Sequence, residues 1–171
     1  MDDLGRRTSE ELKMGSGHPV IVILDDVRSM QNVGATFRTC DAFAAASIYL
    51  CGYTPQPPHR DIHKTALGAT ETVPWQHFQT VTAAITAARS VGYRVLAVEQ
   101  AHGSIALQSL AYNGEPLALV FGNEVPGVSD EALSLVDGTV EIPQWGSKHS
   151  LNISVTVGIV LWEIARTMRI P

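Results

Sequence analysis

The chain has no apolar run near the ~18 residues needed to cross a bilayer. The longest candidate, Ile153–Ile164, is broken by Ser154, Thr156, Gly158 and Glu163. The N-terminal stretch MDDLGRRTSEELKMGSGHP carries no hydrophobic segment of the secretory type. Neither observation points to a membrane partner. Cysteine is scarce: Cys40 and Cys51 make neither a disulfide framework nor a CxxC pair. Both read as small core residues in a reducing cytoplasm. Positive charge is also short, with 12 Lys and Arg against 17 Asp and Glu, a formal net charge of −5 and a pI near 5.6. Such a balance argues against a protein that coats nucleic acid non-specifically. It does not speak against a local basic patch, because net charge says little about one cleft. No repeat, low-complexity tract or strand-following GxGxxG is present, which removes the dinucleotide-binding reading.

Two histidine patterns also lead nowhere. His59 and His63 stand four apart, a spacing that binds metal on a helix, but they fall in a Pro-rich stretch with no Cys or carboxylate to complete a set. No metal is expected. His59-Arg60-Asp61 copies part of a kinase catalytic loop, yet the downstream Asn position holds Ala66 and no Gly-rich phosphate loop or DFG exists.

What is present suits one packed domain: 171 residues, 45 % of them hydrophobic. Residues 1–18 read as a lead-in. Apolar runs predict strands over 19–26, 47–52, 93–100, 115–124 and 138–143. Helical periodicity predicts helices over 32–47, 78–92, 129–136 and Ser150–Met168. Residues 53–70, rich in proline, read as a loop. Ser129 is a good N-cap with acids behind it. Continuous apolar strands alternating with helices indicate an α/β fold, a mostly parallel sheet with helices on both faces. Ligands of such sheets gather at the carboxyl ends of the strands. The loops after Leu24, Val98, Phe121 and Ile142 are therefore the places to find chemistry. They concentrate Gly and Pro beside Asn32, Arg38, Asn123, Glu124, Ser150 and Asn152.

Three blocks in those loops carry a specific pattern: N-x-G-A-x-x-R from Asn32 to Arg38, F-G-N-E-x-x-G from Phe121 to Gly127, and I-P-x-x-G-x-x-x-S-L-N-x-S from Ile142 to Ser154. Together, in this order, they resemble the signature motifs of the SpoU (TrmH-like) RNA ribose methyltransferases of the SPOUT superfamily. The resemblance covers about residues 19–168. It implies a C-terminal deep trefoil knot, one catalytic domain over 19–171 without a separate RNA-binding domain, and S-adenosylmethionine as methyl donor. It implies a homodimer, paired through the first and last helices, that methylates a ribose 2′-hydroxyl of tRNA or rRNA. A knotted RNA-binding module without activity and a base-methylating SPOUT enzyme are the alternatives.

The resemblance also implies roles for single residues. Gly122, Ile142, Ser150 and Leu151 match cofactor-contacting positions, with Ala97, Val98 and Glu99 near the adenosine end. Gly122 would let backbone lie against the ligand. Arg38 matches the essential arginine, whose guanidinium suits a bidentate grip on phosphate; the further role of base sits poorly with a group that scarcely gives up its proton. Asn32, read alone, caps the first helix; by resemblance it helps hold the ribose and Arg38. Glu124 matches the carboxylate that organises the site, and Ser150 and Asn152 match active-site positions; Ser154 and Lys148 are weaker matches. Arg28, Arg38, His59, Arg60, His63, Lys64 and Lys148 all fall in or beside these loops, an edge that RNA phosphates would need.

Overall fold

The computed structural model describes residues 18–147 and 150–167. The expected lead-in over residues 1–18, apart from His18, and the Lys148 position therefore lie outside the described residues. Among the described residues seven strands form one sheet: β1 (His18–Asp25), β2 (Ala45–Cys51), β3 (Trp75–Phe78), β4 (Arg94–Val98), β5 (Ile105–Ala106), β6 (Leu117–Phe121) and β7 (Thr139–Glu141). Their order is β3-β2-β1-β6-β4-β7-β5, and every described pairing is parallel.

The period of two in a strand sends alternate side chains to opposite faces. On β1, Val20, Val22 and Leu24 enter one core, and Ile21 and Ile23 the other. Helices α1 (Met30–Ala42), α2 (Arg60–Ala66), α3 (Ala69–Thr72) and α6 (Ile153–Thr167) cover the first face. Helices α4 (Val81–Ser90) and α5 (Asp130–Leu135) cover the second through Val81, Ala84, Ile85, Ala88 and Ala132. Both faces are thus apolar, which explains why the strands read as unbroken hydrophobic runs.

Several expectations need correction. The first helix begins at Met30 and stops at Ala42, not at 47, because Ala44 takes a left-handed φ of 50° and residues 45–47 already belong to β2. Its N-cap is Ser29, whose side chain accepts from the Asn32 amide; Asn32 itself stands inside the first turn. The stretch read as loop over 53–70 contains α2. Its prolines, at positions 55, 57 and 58, all precede the helix and do not break it. His59 caps that helix, its Nδ1 accepting from the Asp61 amide at 3.2 Å. The short strands β3 and β5 carry too few residues for a period to show. The closing helix begins at Ile153, three residues later than expected, because Asn152 caps it: Asn152 Oδ1 accepts from the Ser154 amide at 2.9 Å.

Candidate active site

Strands β1, β6, β4 and β7 are neighbours at the centre of the sheet. Parallel pairing puts their carboxyl ends side by side, so the loops that follow them meet. A cavity of about 480 Å³ opens there. Val98, Glu99 and Gln100 after β4, residues 121–127 after β6, and Glu141, Ile142 and Gln144 after β7 line it together with the head of α6.

The loop after β1 joins the cavity through hydrogen bonds. The Glu124 carboxylate accepts from the amides of Arg28 and Ser29, each at 3.3 Å, and from Asn32 Nδ2 at 3.0 Å. Asn32 Oδ1 in turn accepts from Asn152 Nδ2 at 3.2 Å. Asn152 Oδ1 accepts from the Ser154 amide and hydroxyl. One chain of polar contacts therefore links the first helix, the β6 loop and the closing helix. Partial burial pushes the Glu124 carboxyl up, but the hydrogen bonds from Asn32, from its own amide and from the Arg28 and Ser29 amides outweigh that and hold it below the usual range. Glu124 is a carboxylate at neutral pH and an acceptor only.

The β6 loop is a tight turn. Asn123 and Gly127 exchange backbone bonds at 2.9 and 3.0 Å. Asn123 Nδ2 donates to the Asp26 carbonyl at 2.6 Å, and its Oδ1 accepts from the Val125 amide. A Cβ on Gly122 would overlap the Gly127 carbonyl and the Val128 nitrogen. The glycine is thus demanded by the turn's own backbone, in addition to any ligand. Glu99 holds the same turn, accepting from the Val128 and Gln100 amides at 2.9 Å. Asp25, 5 % exposed, accepts from the Ser129 amide at 3.0 Å and anchors the next helix. Sequence reasoning missed Asp25 and the anchoring role of Asn123; the only signal was that Asp25 closes β1 and Asn123 stands two residues past β6.

Of the expected cofactor residues, Val98, Glu99, Gly122, Ile142, Ser150 and Leu151 line the cavity. Ala97 does not; it is fully buried in the core beside Ala118 and Val120. Of the expected catalytic residues, Glu124, Ser150 and Asn152 line it, and Asn32 is tied to two of them. Arg38 stands apart. It is exposed on α1, and among the described residues it forms no ion pair. That exposure leaves its charge in water, although its neighbours Phe37 and Cys40 on the same helix are buried. Nor does it pair with Asp41, which accepts from Thr72 Oγ1 at 2.6 Å. Arg28, His59, Arg60, His63 and Lys64 are exposed as well. Among the described residues no group of three His, Cys, Asp or Glu stands close enough to share a metal ion, and no helix is long and apolar enough to cross a membrane.

A parallel α/β sheet with a small-molecule cavity at the carboxyl edge and a polar network at its mouth defines an enzyme-like class of ligand-binding domain. The sequence places the chain within it: residues 19–162 match the model of the SpoU rRNA Methylase family, and the chain belongs to that family. It is 30 % identical over 161 residues to a tRNA (guanosine(18)-2′-O)-methyltransferase of Thermus thermophilus, covering 94 % of this chain and 81 % of that one. It is 31 % identical to the 23S rRNA (guanosine-2′-O-)-methyltransferase RlmB of Nitrosomonas europaea, covering 93 % of this chain and 61 % of that one. The crystal structure of an AdoMet-bound rRNA methyltransferase from Sinorhizobium meliloti superposes with a TM-score of 0.82 at 31 % identity, over 88 % of this chain and 57 % of that one.

Proposed function

We propose that this chain methylates the 2′-hydroxyl of a ribose in tRNA or rRNA, with S-adenosylmethionine as donor, and that it does so as a cytoplasmic homodimer whose catalytic domain spans 19–171. The observation that carries the reading is the Asn32–Glu124–Asn152 chain, which brings three separate sequence blocks to the mouth of one cavity.

The cavity fits the donor. Its volume of about 480 Å³ lies in the ~300–1,000 Å³ range of small-molecule sites. Val98, Phe121, Ile142 and Leu151 offer apolar wall for a purine, while Gln144, Ser150 and Asn152 offer polar contacts for hydroxyl, carboxylate and ammonium groups. Bound there, S-adenosylmethionine supplies a methyl carbon made electrophilic by the adjoining sulfonium. Everything else falls to the chain. Glu124 fixes the amides of Arg28 and Ser29 and the Asn32 side chain, so Asn32 meets Asn152 in one geometry. That geometry aligns the ribose hydroxyl, and alignment alone can contribute roughly 7–11 kcal/mol in well-oriented systems. The Asn32 and Asn152 amides can each hydrogen-bond the ribose. Arg38 grips the phosphate next to the target ribose.

The second copy explains the position of Arg38. Helix α6 exposes Val155, Ile159 and Trp162 on one stripe at 50, 37 and 58 %, and Trp162 meets Phe43, the residue after α1, with ring centroids 6.3 Å apart. Two copies joined over this face would each bring an α1 toward the other's cavity. The strand order also suits a knotted path. Strand β7 lies between β4 and β5, both of which precede it in sequence, and the chain beyond it continues to the face that α1 and α6 share.

The test is direct. Purified protein is titrated calorimetrically with S-adenosylmethionine. It is then incubated with RNA from cells lacking it, and the digested nucleosides are weighed by mass spectrometry. A new 2′-O-methyl nucleoside supports the reading. A ring-methylated nucleoside would make it a base methyltransferase, and absent cofactor heat would leave a knotted binding module.

A further inference from the structure

Beside the cavity stands an aromatic ring that the site described so far does not use. Tyr53 follows β2 and is 80 % exposed. Scattered exposed aromatics need no explanation, but this one is held firmly at its backbone. Its amide donates to Asp26 Oδ1 at 2.7 Å. Gly52 before it has φ +59°, and a Cβ there would overlap the same carboxylate oxygen. Thr54 after it is 3 % exposed, its hydroxyl donating to the Leu24 carbonyl at 3.2 Å. Asp26 in turn receives Asn123 through its carbonyl. The backbone is fixed on both sides, and the large side chain is left outside.

The Arg28 guanidinium lies over the Tyr53 ring, 5.9 Å from its centroid. The amide of the same Arg28 donates to Glu124, which lines the cavity. The ring is therefore one residue away from the polar network at the cavity mouth. With four fifths of the residue exposed, the face not covered by Arg28 is open. An aromatic face backed by a cation and displayed on rigid backbone suits one ligand chemistry best, a nucleobase taken out of its stack.

We propose that Tyr53 and Arg28 form a stacking platform for an unpaired base of the RNA, adjacent to the nucleotide whose ribose enters the site. This rests on the RNA-methylating reading above and specifies what the substrate must offer there: a single-stranded segment, not a continuous duplex. Stacking tolerates any base, since each has a π-face, so the platform reads strandedness and not sequence.

The test uses the intact protein with a fluorescein-labelled 15-nucleotide uridine-rich strand and a duplex of the same length, by anisotropy. Wild type should prefer the single strand. Tyr53→Ala should weaken single-strand binding about tenfold and leave duplex binding unchanged, while Tyr53→Phe should bind as wild type. Three results would overturn the platform: equal single-strand binding by Tyr53→Ala, an equal loss in Tyr53→Phe, or a wild type that binds the single strand no better than the duplex. Sedimentation of Tyr53→Ala must show the wild-type oligomeric state; a shift would assign the ring to an interface and likewise overturn it. Calorimetry with S-adenosylmethionine separates the two levels. Normal cofactor binding with indifference to Tyr53 refutes the platform alone, whereas absent cofactor binding in wild type refutes the methyltransferase reading beneath it.

Discussion

Gly122→Ala tests the account of the cavity wall. The added methyl group would fall on the Gly127 carbonyl and the Val128 nitrogen, where ordinary contact needs ~3.5–4.0 Å. Those atoms are backbone and cannot rotate away. They are also held, by the paired Asn123–Gly127 bonds and by Glu99 on the Val128 amide. Forcing an extra carbon into a packed site costs about 1–3 kcal/mol, and each bond lost as the turn opens adds about 0.5–1.5 kcal/mol. We expect a total near 3 kcal/mol, which for a chain of this length lowers Tm by roughly 6–12 °C. Because the displaced turn lines the cavity, affinity for S-adenosylmethionine should fall with it. Thermal unfolding without ligand and calorimetric titration are the measurements. A Tm within about 2 °C of wild type, together with unchanged affinity, would refute the claim that this turn is rigid and forms the wall.

Arg38→Ala should abolish methyl transfer while leaving cofactor affinity within about tenfold, ~1.4 kcal/mol; normal turnover would remove Arg38 from the mechanism. Asn152→Ala loses a helix cap, about 1 kcal/mol, and a partner of Asn32. Asn152→Ser keeps a capping oxygen but not the amide, so it should melt near wild type yet turn over slowly, and equal activity would break the proposed alignment role. Val155→Glu with Trp162→Glu should yield monomers by analytical ultracentrifugation and lose transfer with them; an intact dimer would move the interface elsewhere. Burial, with Asp41 beside Cys40 and with Asp25 and Asp26 beside Cys51, pushes both thiols far above their ordinary range. A chromogenic disulfide reagent should therefore label neither thiol until the protein unfolds, and rapid native labelling would contradict their burial.

Most of the fold was legible because its signals are long. Strand β1 and helix α4 carry enough residues for an apolar run or a stripe to emerge, and both faces of the sheet are covered, which keeps the strands continuous. The elements that went unread, α2, α3, β3 and β5, have two to seven residues each. Helix α2 was hidden by three prolines that mark its entrance, and β3 and β5 are too short to have a period. At the site, motif spacing located Asn32, Glu124 and Asn152, but not the fact that they touch each other across 92 and 120 positions of sequence. Nor did it show why Gly122 is glycine, since that depends on where Gly127 returns in space. Gly34 makes the same point. A Cβ there would meet the Ile62 carbonyl and the Thr65 hydroxyl, so close approach of α1 and α2 accounts for it, and no local pattern announces a contact between helices.

Among the described residues strand β5 has a single neighbour in the sheet, β7, although β4 and β6 both flank it in sequence. During synthesis it leaves the ribosome well before that neighbour exists, and it must wait unpaired while β6 and α5 emerge. A chain cut short before residue 139 would lose more than its last strand. Strand β5 would detach, and the backbone groups of β4 on that side would lie open to any passing strand, a template for aggregation.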